Sequence, residues 1–229
     1  MPELPDVALY VEALRTRVVG RRLDRIHLIS PFVLRSVEPA LDTVTFLIVR
    51  DVTRLGKRLV LAFDALVDQE LFLVLHLMIA GRLRWREHGQ KPGVAPRMIL
   101  ASFEFENGVL FFTEASSTKR ASMQLVAGQA ALQALDPGGI EPLETTEDAF
   151  RAVLTRDNRI VKRVLTDPQL VSGIGNAYSD EILHAARLSP VKLTESLSAA
   201  EIERLYRAMR DTLSTWIERL RADVQGAFP

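Results

Sequence analysis

Ten residues divide this chain into two kinds of sequence. LDPGGIEPLE, residues 135 to 144, concentrates proline and glycine, the residues that punctuate regular structure. Before it, from about residue 21 to 126, apolar residues come in short or alternating runs: RLDRIHLI, TFLIV, RLVLAF, LFLVLHLMIA, MILASFEF, VLFFTEA and SMQLV. These read as seven strands, and SFEFENGVLFF places Asn107-Gly108 between apolar flanks as a hairpin turn. After it, EDAFRAVL, RIVKRVLTD, NAYSDEILHAARL and AAEIERLYRAMRDTLSTWIERLRAD follow a helical period. One more helix comes first, because Val7, Tyr10, Val11, Leu14 and Val18 form an apolar stripe over residues 6 to 19. The expected fold is α+β. An N-terminal helix with an antiparallel sandwich or barrel spans 1–134, a linker spans 135–144, and an all-helical domain spans 145–229.

Composition removes several classes of function. The chain has no cysteine, which excludes disulfides and thiolate metal sites, and the spacing of His27, His76, His88 and His184 suits no metal. No apolar run approaches the roughly 18 residues needed to cross a bilayer, and the N-terminus lacks a signal-peptide pattern. We therefore expect a cytoplasmic protein with no membrane partner. Lys and Arg balance Asp and Glu at 29 each, but the charge is local. RDVTRLGKR (50–58) holds four basic side chains against one acid, and RAVLTRDNRIVKR (151–163) holds five against one. Both suit phosphate neutralisation.

Two stretches remain. The chain opens MPELPD, in which Pro2 and Pro5 hold an entry loop extended and Asp6 sets a negative charge at the start of a helix. Residues 165 to 190, LTDPQLVSGIGNAYSDEILHAARLSP, end one helix near Asp167-Pro168, turn through Gly-Ile-Gly and start another near Asn176. A glycine turn at a helix N-terminus leaves backbone N–H groups that suit phosphate.

VSGIGNAYSDE closely resembles the helix-two-turn-helix element of the formamidopyrimidine-DNA glycosylase and endonuclease VIII family. PELPD resembles the family's N-terminal signature, with Asp6 where glutamate is usual. TRLGKRLVLAF resembles its lysine-bearing hairpin, and LVLHLMIAGRL its His-Leu-x-x-x-Gly-Arg-Leu strand and turn. The four motifs stand in family order from residue 2 to 190, so the resemblance covers nearly the whole chain. It implies a sandwich domain followed by a helical DNA-binding domain.

The resemblance also implies a chemistry. The enzyme would be a bifunctional glycosylase and AP lyase of base-excision repair, acting as a monomer on duplex DNA that contains oxidised bases or abasic sites. Once Met1 is removed, the secondary amine of Pro2 would attack C1′, and Glu3 would move protons through β- and δ-elimination. Lys57 would protonate the leaving base or hold a phosphate. Met78 and Ile79 stand where the family has its base wedge. His76, Lys162, Gly175, Asn176 and Tyr178 match DNA contacts. The family's Asp-x-Arg-Arg-Phe-Gly is replaced by FTEASSTKRASMQLV, which leaves Lys119 and Arg120 as heirs of the arginine. A family histidine is missing from KPGVAPR (91–97). Leu4 points to the purine-type branch; action on oxidised pyrimidines and non-catalytic binding of damaged DNA are the alternatives. The family ends in a four-cysteine zinc hairpin, whereas this sequence ends at VQGAFP. We expect a truncated chain of weak activity that takes no cofactor, with zinc only if the native protein continues beyond Pro229.

Overall fold

A computed structural model describes residues 1–66 and 69–229. The first helix, α1 (Leu4–Val18), buries Val7, Leu14 and Val18 and carries Arg15 and Arg17 in its last turn, where cations complement the helix dipole. Asp6 sits in its first turn and accepts the backbone N–H of Glu3 at 2.9 Å, one half of a capping box with aspartate in the acid's place.

Two compact units emerge. Met1–Pro2, Val7–Leu135 and Val224–Pro229 form one; Glu3–Asp6 and Asp136–Asp223 form the other.

The first unit contains two four-stranded antiparallel sheets. One orders β1 (Leu23–Leu28), β6 (Ile99–Phe105), β7 (Gly108–Glu114) and β5 (Gly81–Arg86). The other orders β2 (Val49–Leu55), β3 (Arg58–Leu66), β4 (Gln69–His76) and β8 (Ser122–Ala127). Phe103, Phe105 and Phe112 from one sheet share a core with Leu59, Leu61, Phe63, Leu73 and Leu75 from the other. Each such side chain contributes about 1.5–3 kcal/mol on burial. The opposite faces of β3 and β4 are buried too. Val60, Ala62, Phe72 and Val74 pack with Leu132 of the short helix α2 (Gln129–Gln133), so these strands read as continuous apolar runs rather than alternations.

Among the described residues the strands number eight rather than seven, and three expectations change. TFLIV is mostly not a strand: Phe46 has φ 68° and is 67% exposed, Ile48 makes only an isolated bridge to Arg22, and β2 starts at Val49. LFLVLHLMIA breaks after His76 into a turn, with Met78 at φ 52°, before β5 begins. The β6–β7 hairpin forms, but its turn is Glu106-Asn107, with Phe105 paired to Gly108. Gly108 is needed for a different reason, since a Cβ there would lie 2.6 Å from the Trp85 ring of the neighbouring strand.

The second unit is helical: α3 (Glu147–Thr155), α4 (Val161–Thr166), α5 (Asn176–Ala185) and α6 (Ala199–Val224), whose last residue joins the first unit. Thr146 caps α3 by accepting the Ala149 N–H at 3.3 Å. Phe150, Leu165, Ile174, Ile182, Leu205 and Met209 form the core, and Leu4 joins them. Part of LDPGGIEPLE is built into this unit. Ile140 donates its N–H to the Leu170 carbonyl at 3.0 Å, and its own carbonyl accepts the Ser172 N–H at 2.9 Å.

Candidate active site

Helix α5 begins at Gly175, which has no side chain with which to cap it. The carboxylate of Glu3 takes that role from 172 residues upstream. Its Oε2 accepts the N–H groups of Gly175 at 2.7 Å and Tyr178 at 3.2 Å, and its Oε1 accepts that of Ala177 at 3.0 Å. A helix start leaves such donors without partners inside the helix, and a carboxylate there also meets the positive end of the dipole. Glu3 is 2% exposed, and its neighbour Leu4 donates its N–H to the Gly173 carbonyl at 2.9 Å. Gly173 itself has φ 78°, a left-handed turn that glycine adopts without a steric penalty. The expectation that this turn offers its N–H groups to phosphate is corrected here. Gly175 and Tyr178 spend theirs on Glu3, while the side chain of Asn176 lies exposed.

Tyr178 is buried against Trp216, ring edge to face at 5.9 Å. Burial, then the nearby charges of Asp6, Glu3 and Glu181, push its phenol well above the usual range, so the hydroxyl stays protonated.

Lys57, His76, Met78, Ile79, Lys119 and Arg120 gather at one end of the sandwich. Arg58 pairs with His76, and His76 pairs with Ser122 across adjacent strands. The Gly56-Lys57 turn, the turn after His76 and the loop before Ser122 therefore emerge together. Gly56 has φ 59°, and Arg54 holds its carbonyl at 2.8 Å. Lys57 is half-buried. His76 is also half-buried, and burial followed by the Arg58 and Lys57 cations lowers its pKa to about 4. It is neutral at pH 7, a hydrogen-bonding rather than a charged group. Past it, Met78 and Ile79 lie in a tight turn closed by the Gly81 N–H on the Leu77 carbonyl at 2.9 Å. Ile79 is 56% exposed, so neither residue is a strand core position, and Ile79 is the side chain presented outward.

Lys119 and Arg120 are set by a residue that sequence reasoning missed. Glu114 is 1% exposed, and its carboxylate accepts the N–H of Arg120 at 2.9 Å and 3.1 Å and that of Ala121 at 3.1 Å. The Lys119 ammonium folds back onto the Glu114 carbonyl, whereas Arg120 is exposed. An acid that ends the apolar run VLFFTE, a few residues before a basic pair, is the sequence signal that could have found it.

Lys162 ends on Asp180, and the rest of its basic run is largely paired as well: Arg151 with Glu147, Arg156 with Asp157, Arg159 with Asp167. Sequence position alone had made this run look more positive than it is. As for zinc, the chain has no cysteine, and among the described residues no group of three or more His, Asp or Glu is placed to hold a metal. The residues present do not fit the family's thiolate site.

Comparison with known proteins shows the family and the fold. The model of the formamidopyrimidine-DNA glycosylase N-terminal domain matches residues 1–120, and that of the formamidopyrimidine-DNA glycosylase H2TH domain matches residues 139–225. The formamidopyrimidine-DNA glycosylase of Moorella thermoacetica is 34% identical over 228 residues, covering 95% of this chain and 78% of that protein. Its counterpart from Pelotomaculum thermopropionicum is 32% identical over 223 residues, with the same coverage of 95% and 78%. Among solved structures, MutM in complex with carbocyclic 8-oxo-G containing DNA superposes with a TM-score of 0.84 at 26% identity, over 95% of this chain and 80% of that one. Lactococcus lactis Fpg bound to abasic-site DNA gives 0.83 at 26% identity, over 94% and 78%.

Proposed function

The chain belongs to the formamidopyrimidine-DNA glycosylase family, and from that premise we propose how its own residues carry out the excision. It is a base-excision-repair DNA glycosylase with AP lyase activity that acts on oxidised purines in duplex DNA. Its relatives are bacterial, and we place its work in the bacterial cytoplasm.

Pro2 becomes the nucleophile once Met1 is removed, because only then does its nitrogen carry a free lone pair. That lone pair forms a bond to C1′ as the glycosidic bond breaks, and the base leaves with the bonding electrons and takes up a proton. Opening of the sugar ring sends the C1′–O4′ electrons to O4′, which is protonated, and leaves a cationic iminium between Pro2 and C1′. Loss of a C2′ proton then expels the 3′ phosphate, a second elimination expels the 5′ phosphate, and water releases Pro2.

Glu3 serves as the acid and base for these transfers. Three backbone N–H groups engage the carboxylate and fix its position for these transfers. That fixed carboxylate, one residue from the nucleophile, is the observation that carries the assignment. Lys57 supplies a cation for the leaving base or a flanking phosphate. The target base has to leave the stack, and Ile79, with Met78 beside it, fills the gap. His76, Asn176, Lys162, Lys119 and Arg120 hold the DNA.

Borohydride trapping tests the scheme. Protein with Met1 removed should form a covalent adduct with abasic-site DNA, and Pro2→Gly should abolish it. Glu3→Gln should slow elimination more than adduct formation. Trapping of Pro2→Gly at the wild-type level would refute the nucleophile assignment.

A further inference from the structure

Lys162 stands early in α4 and Asp180 in the second turn of α5. The ammonium lies 2.6 Å from one oxygen of the Asp180 carboxylate and 2.8 Å from the other, so a single carboxylate grips it on both oxygens. The lysine side chain is 29% exposed and the aspartate 58%, which leaves the pair at the surface and open to exchange with another anion. A phosphate presents the same chemistry as that carboxylate, a delocalised negative charge on adjacent oxygens.

We propose that Asp180 is a built-in competitor of DNA: it occupies Lys162 in the free protein, and a DNA phosphate has to displace it. The inference rests on the reading of Lys162 as a DNA contact and adds the group that regulates it. Binding is then an exchange of ion pairs rather than the neutralisation of a bare cation. Part of what the phosphate contributes goes to breaking the existing pair. Lys162 therefore discriminates weakly in favour of any duplex, which leaves selection to contacts at the lesion.

The energies involved are those of an exposed pair, so the effect is modest but measurable. Asp180→Asn should tighten binding of an undamaged duplex at low salt by about two- to fivefold. It should also steepen the dependence of log affinity on log salt by up to about one unit, since one more cation then meets the DNA unpaired. Asp180→Glu should stay near wild type. The decisive arm is Lys162→Met: in that background Asp180→Asn should bring no gain. If Asp180→Asn binds no more tightly than wild type, the competitor role is wrong. If the gain persists without Lys162, the aspartate repels DNA directly and the inference also fails. Should Lys162→Met alone bind like wild type, the DNA role of Lys162 is what fails, and borohydride trapping through Pro2 reads the rest of the scheme separately.

Discussion

The seat of Glu3 and the end of the sandwich that carries Lys57 are built on opposite principles. The first is one buried side chain satisfied by three backbone donors of a helix far away in sequence. The second is a set of turns and half-exposed side chains, one in the β2–β3 hairpin and the others in connections between the two sheets, with Glu114 holding only the loop that carries Lys119 and Arg120. A buried polar group is costly unless every partner is in place, so the first region is rigid and intolerant. The second trades rigidity for access. With Glu3 in its proposed role, an enzyme that must fix a proton-transfer group and yet admit a duplex has use for both.

The comparison breaks most visibly at Glu3. Replacing it with alanine strands three N–H groups at a helix start, and we expect a loss of about 3 kcal/mol in denaturant unfolding together with loss of excision. Glu3→Gln keeps one acceptor oxygen and should recover part of the stability but not the activity. At the other end the most sensitive point is Gly81, where a Cβ would lie 2.2 Å from the Leu77 carbonyl. Gly81→Ala must open the turn that presents Ile79, at a cost of about 1–3 kcal/mol by the same measurement. A cost above that of Glu3→Ala would show that the turns are the stiffer region.

A further effect is confined to acid pH. His76 titrates near 4 in the folded protein, against about 6.5 when unfolded, because burial and the Arg58 and Lys57 cations disfavour its charged form. The unfolded chain binds the proton first as pH falls. The contribution of His76 to stability is thus fully present above about 6.5 and is lost between there and about 4. His76→Gln should flatten that limb of a stability-against-pH curve and leave the plateau above pH 7 nearly unchanged. An unaltered slope would mean that other groups set the acid limb.

Much of the site could be read from the chain because its parts are local. Pro2 and Glu3 are adjacent, the Gly56-Lys57 turn sits between two apolar runs, and the glycine turn precedes a clear helix. What stayed hidden depends on distance or on ambiguous pattern. Glu3 as the cap of α5 spans 172 residues, and Asp180 against Lys162 spans 18. The turn after His76 is as apolar as a strand, so LMIA merged with the run before it. Asn107-Gly108 looked like a turn pair because the closeness of Trp85 to Gly108 leaves no mark in the local sequence.

The capping of α5 by Glu3 has a consequence for how the enzyme is made. At about 5–20 residues per second, roughly 9 to 34 s separate the emergence of Glu3 from that of the residues that hold it. Through that interval the Glu3 carboxylate has no seat. Helix α5 can therefore gain its cap only after its own first residues have emerged, and a ribosome that stalls before residue 175 leaves the Glu3 carboxylate without its three donors.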